Sequence, residues 1–306
     1  MRRSGIAILV IVVVVAIAAA AFFFWPAGSE NVAEARTKRP ANQDSVKRGE
    51  YLAKAADCAA CHTLANQKPY AGGLPFNLPF GTIYATNITP DRGTGIGQWS
   101  DADFVRALHH GVGRNGQDLY PAFPYTSYAL MSTEDALAIK DYLFSLEPVH
   151  SVAPANQLGF PYNQRYLMRA WKLLFLPRGQ FKPDPQRTAQ QNHGAYLIEA
   201  LGHCGECHTP RSAMYGLDNG KKFAGAVTAG WHAYNITPDP AAGIGNWSDQ
   251  DLINYLSQGF AQNHGPASGS MAQAVEFSLE LFTGSVVAAQ LGKHRERLTV
   301  EQTARV

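Results

Sequence analysis

All four cysteines of the 306-residue chain fall in two copies of one five-residue pattern. These are Cys58-Ala59-Ala60-Cys61-His62 and Cys204-Gly205-Glu206-Cys207-His208. A C-x-x-C-H run is the signature of covalent haem c attachment. Its two thiols add across the haem vinyl groups, and the adjacent histidine is held under the iron. A redox-active C-x-x-C does not need that histidine. A four-cysteine zinc site would not need it either, and no cysteine remains for a disulfide. The pattern predicts two covalently bound haems c, on Cys58 and Cys61 and on Cys204 and Cys207, with His62 and His208 as proximal iron ligands.

Aligning the two motifs exposes an internal duplication. Arg48-Gly49-Glu50-Tyr51-Leu52 precedes the first, and His193-Gly194-Ala195-Tyr196-Leu197 precedes the second. Asn87-Ile88-Thr89-Pro90-Asp91 recurs as Asn235-Ile236-Thr237-Pro238-Asp239, and Gly95-Ile96-Gly97-Gln98-Trp99-Ser100-Asp101 as Gly243-Ile244-Gly245-Asn246-Trp247-Ser248-Asp249. The offset is 146 residues from Cys58 to Cys204 and 148 from Trp99 to Trp247, so the copies differ by small insertions only.

The local signals read as helical. Lys47 to Ala56 runs as a helix into the first haem motif. Ser100-x-x-Asp103 and Ser248-x-x-Asp251 are capping-box starts for helices that end at Gly111 and Gly259. Ser132-x-x-Asp135 opens another, carrying Leu137, Ile139, Tyr142 and Leu143. No run alternates as a strand does. The predicted fold class is all-α, two tandem cytochrome c domains after an N-terminal transmembrane helix.

That helix is read from residues 5–25, which carry no charge. Twenty-one helical residues span about 30 Å, the thickness of a bilayer core. Arg2 and Arg3 precede the run and Phe22 to Trp25 close it, which orients the chain outward from the cytoplasm. The expected location is the bacterial inner membrane, with a single N-terminal span and periplasmic haem domains. A cleaved signal peptide using the Ala18–Ala21 run is the rival reading of residues 1–29. The expected order continues with a tether at 30–44, a first haem domain at 45–150 and an interdomain linker with a helix at 151–190. A second haem domain follows at 191–306, with an atypical tail from about residue 280. The formal charge of +2 comes from Arg2, Arg3 and the basic residues beyond Thr283. No basic stripe points to nucleic acid.

The proximal histidines leave one axial position on each iron. Methionine there raises the potential and suits electron transfer, whereas an open position admits small molecules. Met131 and Met271 follow the Trp-containing motif of each copy, where a distal loop returns over the haem. Each is a candidate sixth ligand or a core methionine. Met168 and Met214 are read as packing residues, and His203 and His264 as rival ligands. Trp99 and Trp247 either reach a haem propionate or fill the core.

These residues together resemble the cytochrome c subunits of bacterial membrane-associated alcohol, gluconate and related dehydrogenases. The resemblance rests on Asn87-Ile88-Thr89-Pro90-Asp91, Gly95-Ile96-Gly97 with Trp99, Leu119-Tyr120-Pro121-Ala122-Phe123-Pro124-Tyr125 before Met131, and Cys207-His208-Thr209-Pro210-Arg211. The linker Phe160-Pro161-Tyr162-Asn163-Gln164-Arg165 with Trp171 also fits, and the likeness covers roughly residues 45–275. It implies class I cytochrome c domains with Met131 and Met271 as sixth ligands. It also implies a periplasmic dehydrogenase as electron donor and a terminal oxidase, quinone-linked complex or another cytochrome as acceptor. The alternative is a haem enzyme, a dihaem peroxidase or thiosulfate-oxidising cytochrome, with one open sixth position.

Two departures qualify the resemblance. Subunits of that kind carry three haem motifs, and this chain has two. After Met271 the expected last helix is replaced by Phe277 to Gly284 and a basic stretch, which reads as a frame shift near 280–284. A second half lacking that helix is expected to be the less stable one.

Overall fold

The computed structural model describes residues 2–24, 32–228 and 230–279. Twelve helices are found among them, and the capping signals account for the best-defined ones. Helix α1 is Arg2–Phe24, α2 is Val32–Lys38, α3 is Gln43–Ala55 and α4 is the single turn Cys58–His62. Helix α5 (Asp101–His110) starts on the reciprocal Ser100–Asp103 box and stops where Gly111 turns left-handed at φ 58°. Helix α6 (Tyr125–Tyr128) is one turn, and α7 (Thr133–Ser145) begins at the Ser132 cap. Helix α8 (Leu167–Phe175) lies within the stretch read as a linker. Helix α9 (Ala189–Tyr196) opens on a Thr188–Gln191 box and runs into a π-turn at Leu197–Leu201. Helix α10 is Gly205–His208, and α11 (Asp249–Gln258) repeats the cap and left-handed glycine stop of α5 through Ser248, Asp251 and Gly259. Helix α12 is Ser270–Phe277.

The all-α expectation is corrected by three small antiparallel sheets. Strands β1 (Pro75–Leu78), β2 (Gly81–Tyr84) and β3 (Gln157–Leu158) form one, with Phe76 opposite Ile83 and Gly81 opposite Leu158. Strands β4 (Ala226–Thr228) and β5 (Trp231–Ala233) form the second, and β6 (Phe260–Ala261) with β7 (Gly265–Pro266) the third. These strands of two to four residues are held by backbone hydrogen bonds, β3 pairing with β2 from a distant part of the chain. They are too short to print an alternating pattern in the sequence.

The expected N-terminal membrane span, and with it the inner-membrane location, is also corrected. Among the described residues no helix is long and apolar enough to cross a membrane. The stretch read as a tether contains α2, pinned where Arg36 forks between Asp101 at 2.6 Å and Asp141 at 2.7 Å. The tail from residue 280, including the frame-shift reading, lies outside the described residues.

The principal core forms where α7 crosses α3. A Cβ on Gly49 would sit 1.8 Å from the Ala138 carbonyl oxygen, so glycine is what lets the two backbones touch. Around the crossing lie Leu52, Val105, Leu137, Ile139 and Leu143. The same core takes in Leu197, Ile198 and Leu201 from the π-turn and Val275 and Leu279 beyond it, so the two halves share it. The second half keeps a smaller cluster of its own around Ile244 and Leu252. Helix α8 ties both: Lys172 Nζ donates to Asp118 at 2.6 Å, and the Trp171 indole N–H donates to the Met214 carbonyl at 2.8 Å.

Candidate functional site

Each C-x-x-C-H motif forms one helical turn, whose i, i+3 and i+4 spacing sets the two thiols and the following imidazole along one face of a short element. Turn α4 is entered through Asp57 in the left-handed region, at φ 55°. Cys58, Cys61, Cys204 and Cys207 are all half-buried and unpaired with one another. Burial pushes Cys58, Cys61 and Cys204 up to about 12, and raises Cys207 as well. The free thiols are thus protonated at neutral pH.

The histidines carry the decisive geometry. His62 Nδ1 donates to the Thr86 carbonyl at 2.7 Å, and His208 Nδ1 donates to the Tyr234 carbonyl at the same distance. A carbonyl oxygen can only accept, so Nδ1 holds the proton and Nε2 keeps its lone pair. Burial lowers the pKa of both rings, against the opposing effect of those hydrogen bonds. A neutral imidazole with a fixed tautomer and a basic Nε2 is what a haem iron requires of a proximal ligand. The donor set fits haem c at both motifs.

The duplicated loops set these carbonyls in place. Asn87 Oδ1 accepts from the Thr89 N–H and hydroxyl at 2.9 and 2.8 Å, and Asn235 does the same for Thr237 at 2.8 and 2.7 Å. A Cβ on Gly95 or Gly243 would come within 2.2 Å of the Thr89 or Thr237 carbonyl oxygen. The recurring Asn-x-Thr and Gly-x-Gly residues are therefore loop architecture. They hold the segments just after β2 and β5 whose carbonyls receive the histidines.

Each motif docks against the other half of the chain. Glu206, inside the second motif, is buried and accepts from the hydroxyls of Thr126 at 2.7 Å and Ser127 at 3.3 Å on α6, while Arg211 neutralises it. Ser278, just past α12, donates to Asp57 at the mouth of the first motif at 2.6 Å. His203, next to Cys204, meets the Tyr128 ring edge-on at 5.8 Å. Cys61 and Cys207 are close enough for the second thiol to add to the pKa rise at the first.

The remaining candidates separate. Met271 is half-buried on the first turn of α12, beside the shared core. Met131 is wholly buried within that core, at 0% exposure. Met214 is 55% exposed, so it is not the packing residue expected. His264 stacks flat on Trp247 at 3.7 Å, and Trp99 packs on the principal core.

Comparison with known proteins agrees with this geometry. The cytochrome c profile matches residues 46–147. A dihaem c-type cytochrome of Cereibacter sphaeroides is 37% identical over 248 residues, covering 77% of this chain and 80% of that protein. The chain belongs to the cytochrome c family. It is also 43% identical over 261 residues to the gluconate 2-dehydrogenase cytochrome c subunit of Pantoea cypripedii, across 81% of this chain and 58% of that one. Identity to a nicotinate dehydrogenase subunit of Pseudomonas putida is 50% over 233 residues, 75% of this chain but 19% of that protein. The cytochrome thus spans a fifth to three-fifths of these two longer relatives. It is an electron-transfer protein carrying covalently bound haem c.

Sequence reasoning missed three contributors to the site. The Thr86 and Tyr234 carbonyls act through backbone, which no residue pattern reveals. Glu206 occupies a variable position of its motif, and only packing shows it bolted to α6.

Proposed function

We propose that this cytochrome relays single electrons from a dehydrogenase to a respiratory acceptor, through two haems held in one shared core. Cys58 and Cys61 would hold one, with His62 as an iron ligand. Cys204 and Cys207 would hold the other, with His208 and Met271 as iron ligands. When bound, the haems supply one-electron chemistry, and the chain supplies attachment, ligand orientation and burial. The observation that carries the reading is that each motif is docked on the other half of the chain, Glu206 on α6 and Asp57 on Ser278. Two centres so joined suit a relay better than two independent sites. The relatives named as cytochrome subunits of gluconate and fructose dehydrogenases favour a dehydrogenase as donor. A terminal oxidase, a quinone-linked complex or another cytochrome serves as acceptor.

The test adds the two-haem protein to extract of source cells deleted for this chain. Nicotinate, gluconate, fructose or ethanol is then supplied as reductant. Reduction of both haems by one of these substrates is the expected result. If dithionite reduces both haems but no substrate does, the dehydrogenase reading fails. Sustained turnover of peroxide or thiosulfate by the cytochrome alone would replace it with an enzymatic one.

A further inference from the structure

The duplication can be followed through the distal loops by backbone hydrogen bonds, and it does not pair the two candidate methionines. Gly111 and Gly259 both end their helices left-handed, at φ 58° and 71°. After Gly111 the Leu119 N–H returns to its carbonyl at 2.8 Å; after Gly259 the Ala267 N–H returns at 2.7 Å. Both pairs are eight residues apart, so the 148-residue offset continues without a gap. Four residues further, the Phe123 N–H donates to the Tyr120 carbonyl at 3.1 Å, and the Met271 N–H donates to the Ser268 carbonyl at 3.2 Å. The residue equivalent to Met271 is Phe123. Both are half-buried against the rim of the shared core that also receives Cys58 and Cys204.

Met131, by the same offset, is equivalent to Leu279. The two are buried alike, at 0% and 6% exposure, and both belong to the core itself. Protein atoms alone enclose Met131. Its N–H is fixed to the Tyr128 carbonyl at 2.9 Å, directly before the Ser132 cap of α7. Bringing its sulfur to a haem would unpack the start of that helix and the α3–α7 crossing. Phenylalanine offers no lone pair to iron.

We propose that the first-half haem has no methionine ligand, and that Phe123 covers a sixth position open to small exogenous ligands. The second-half haem alone is closed, by Met271. Phe123 is braced by Tyr128 at 5.5 Å and Tyr125 at 6.4 Å, so its ring forms an apolar lid over that position. Such a position suits small neutral ligands, for which carbon monoxide is the probe. The proposal rests on the assignment of haem to both motifs, and haem content tests that assignment separately.

The experiment first counts covalent haem per chain, then records the far-red sulfur-to-iron band of the oxidised protein and carbon monoxide uptake by the reduced protein. The expected results are two haems, a band worth one, and one carbon monoxide bound per chain. Met271→Leu removes the band. Met131→Leu, a swap of similar volume, leaves it unchanged. Phe123→Met doubles the band and abolishes carbon monoxide binding. A band worth two haems overturns the proposal. So does a two-haem protein that binds no carbon monoxide, as when a histidine such as His109 closes the position. One haem per chain refutes the haem assignment itself.

Discussion

Tyr196→Phe removes a single oxygen from the seam between the two halves. The Tyr196 hydroxyl accepts from the Ser132 N–H at 3.1 Å and donates to Asp135 Oδ2 at 2.9 Å. Burial raises the phenol's pKa, so it remains a donor across the working range. The ring still packs edge-on to Phe181 at 5.6 Å, and phenylalanine preserves that contact without opening a cavity. What is lost is one neutral hydrogen bond and one to a buried carboxylate, about 1 and 1.5–3 kcal/mol respectively. Asp135 keeps Arg48 at 2.7 Å, which softens the second loss. The net expectation is about 2–3 kcal/mol. With a guanidinium slope of about 4 kcal/mol per molar, that moves the unfolding midpoint down by about 0.5 M. The assay is guanidinium unfolding of the haem-loaded protein, followed by far-ultraviolet circular dichroism and by haem absorption. A shift below about 0.1 M, or roughly 0.4 kcal/mol on the same slope, would refute the claim that this hydroxyl couples the halves.

Two further perturbations probe the first half. Burial alone would raise Asp101, but hydrogen bonds from Arg36 and Lys140 outweigh it and hold the carboxyl at about 2. A folded pKa below the unfolded one gives stability that is present above about pH 4 and lost as pH falls through about 2, about 1 kcal/mol in all after solvent screening of this partly exposed carboxylate. Asp101→Asn should be less stable than the parent at pH 6, the gap closing between about pH 4 and 2 in urea titrations; a pH-independent gap contradicts the linkage. Gly49→Ala places a methyl 1.8 Å from the Ala138 carbonyl oxygen. It should cost about 3 kcal/mol by forcing α3 and α7 apart, and lower Tm by roughly 10 °C. A loss under about 1 kcal/mol would mean the helices can separate cheaply.

Much of the site is local and covalent, and that part is legible in the chain. Thiol, thiol and imidazole sit within five residues, so the haem c cofactor, and the attachment points and proximal ligands proposed for it, can be read from spacing alone. Helix ends at Ser100, Gly111, Ser248 and Gly259 are equally local, because a cap answers the unpaired N–H groups of its own first turn. Tertiary structure decided the rest. Met131 and Met271 look alike as residues after a tryptophan motif, but backbone hydrogen bonds pair Met271 with Phe123 and send Met131 into the core. The three sheets are built from strands too short to pattern a sequence. The shared core exists because α9 and its π-turn dock on α7, through Tyr196 and Leu197. Chemistry held within one turn is written in the order of residues. Which atoms face a haem depends on how distant segments register against each other, and that is settled only by packing.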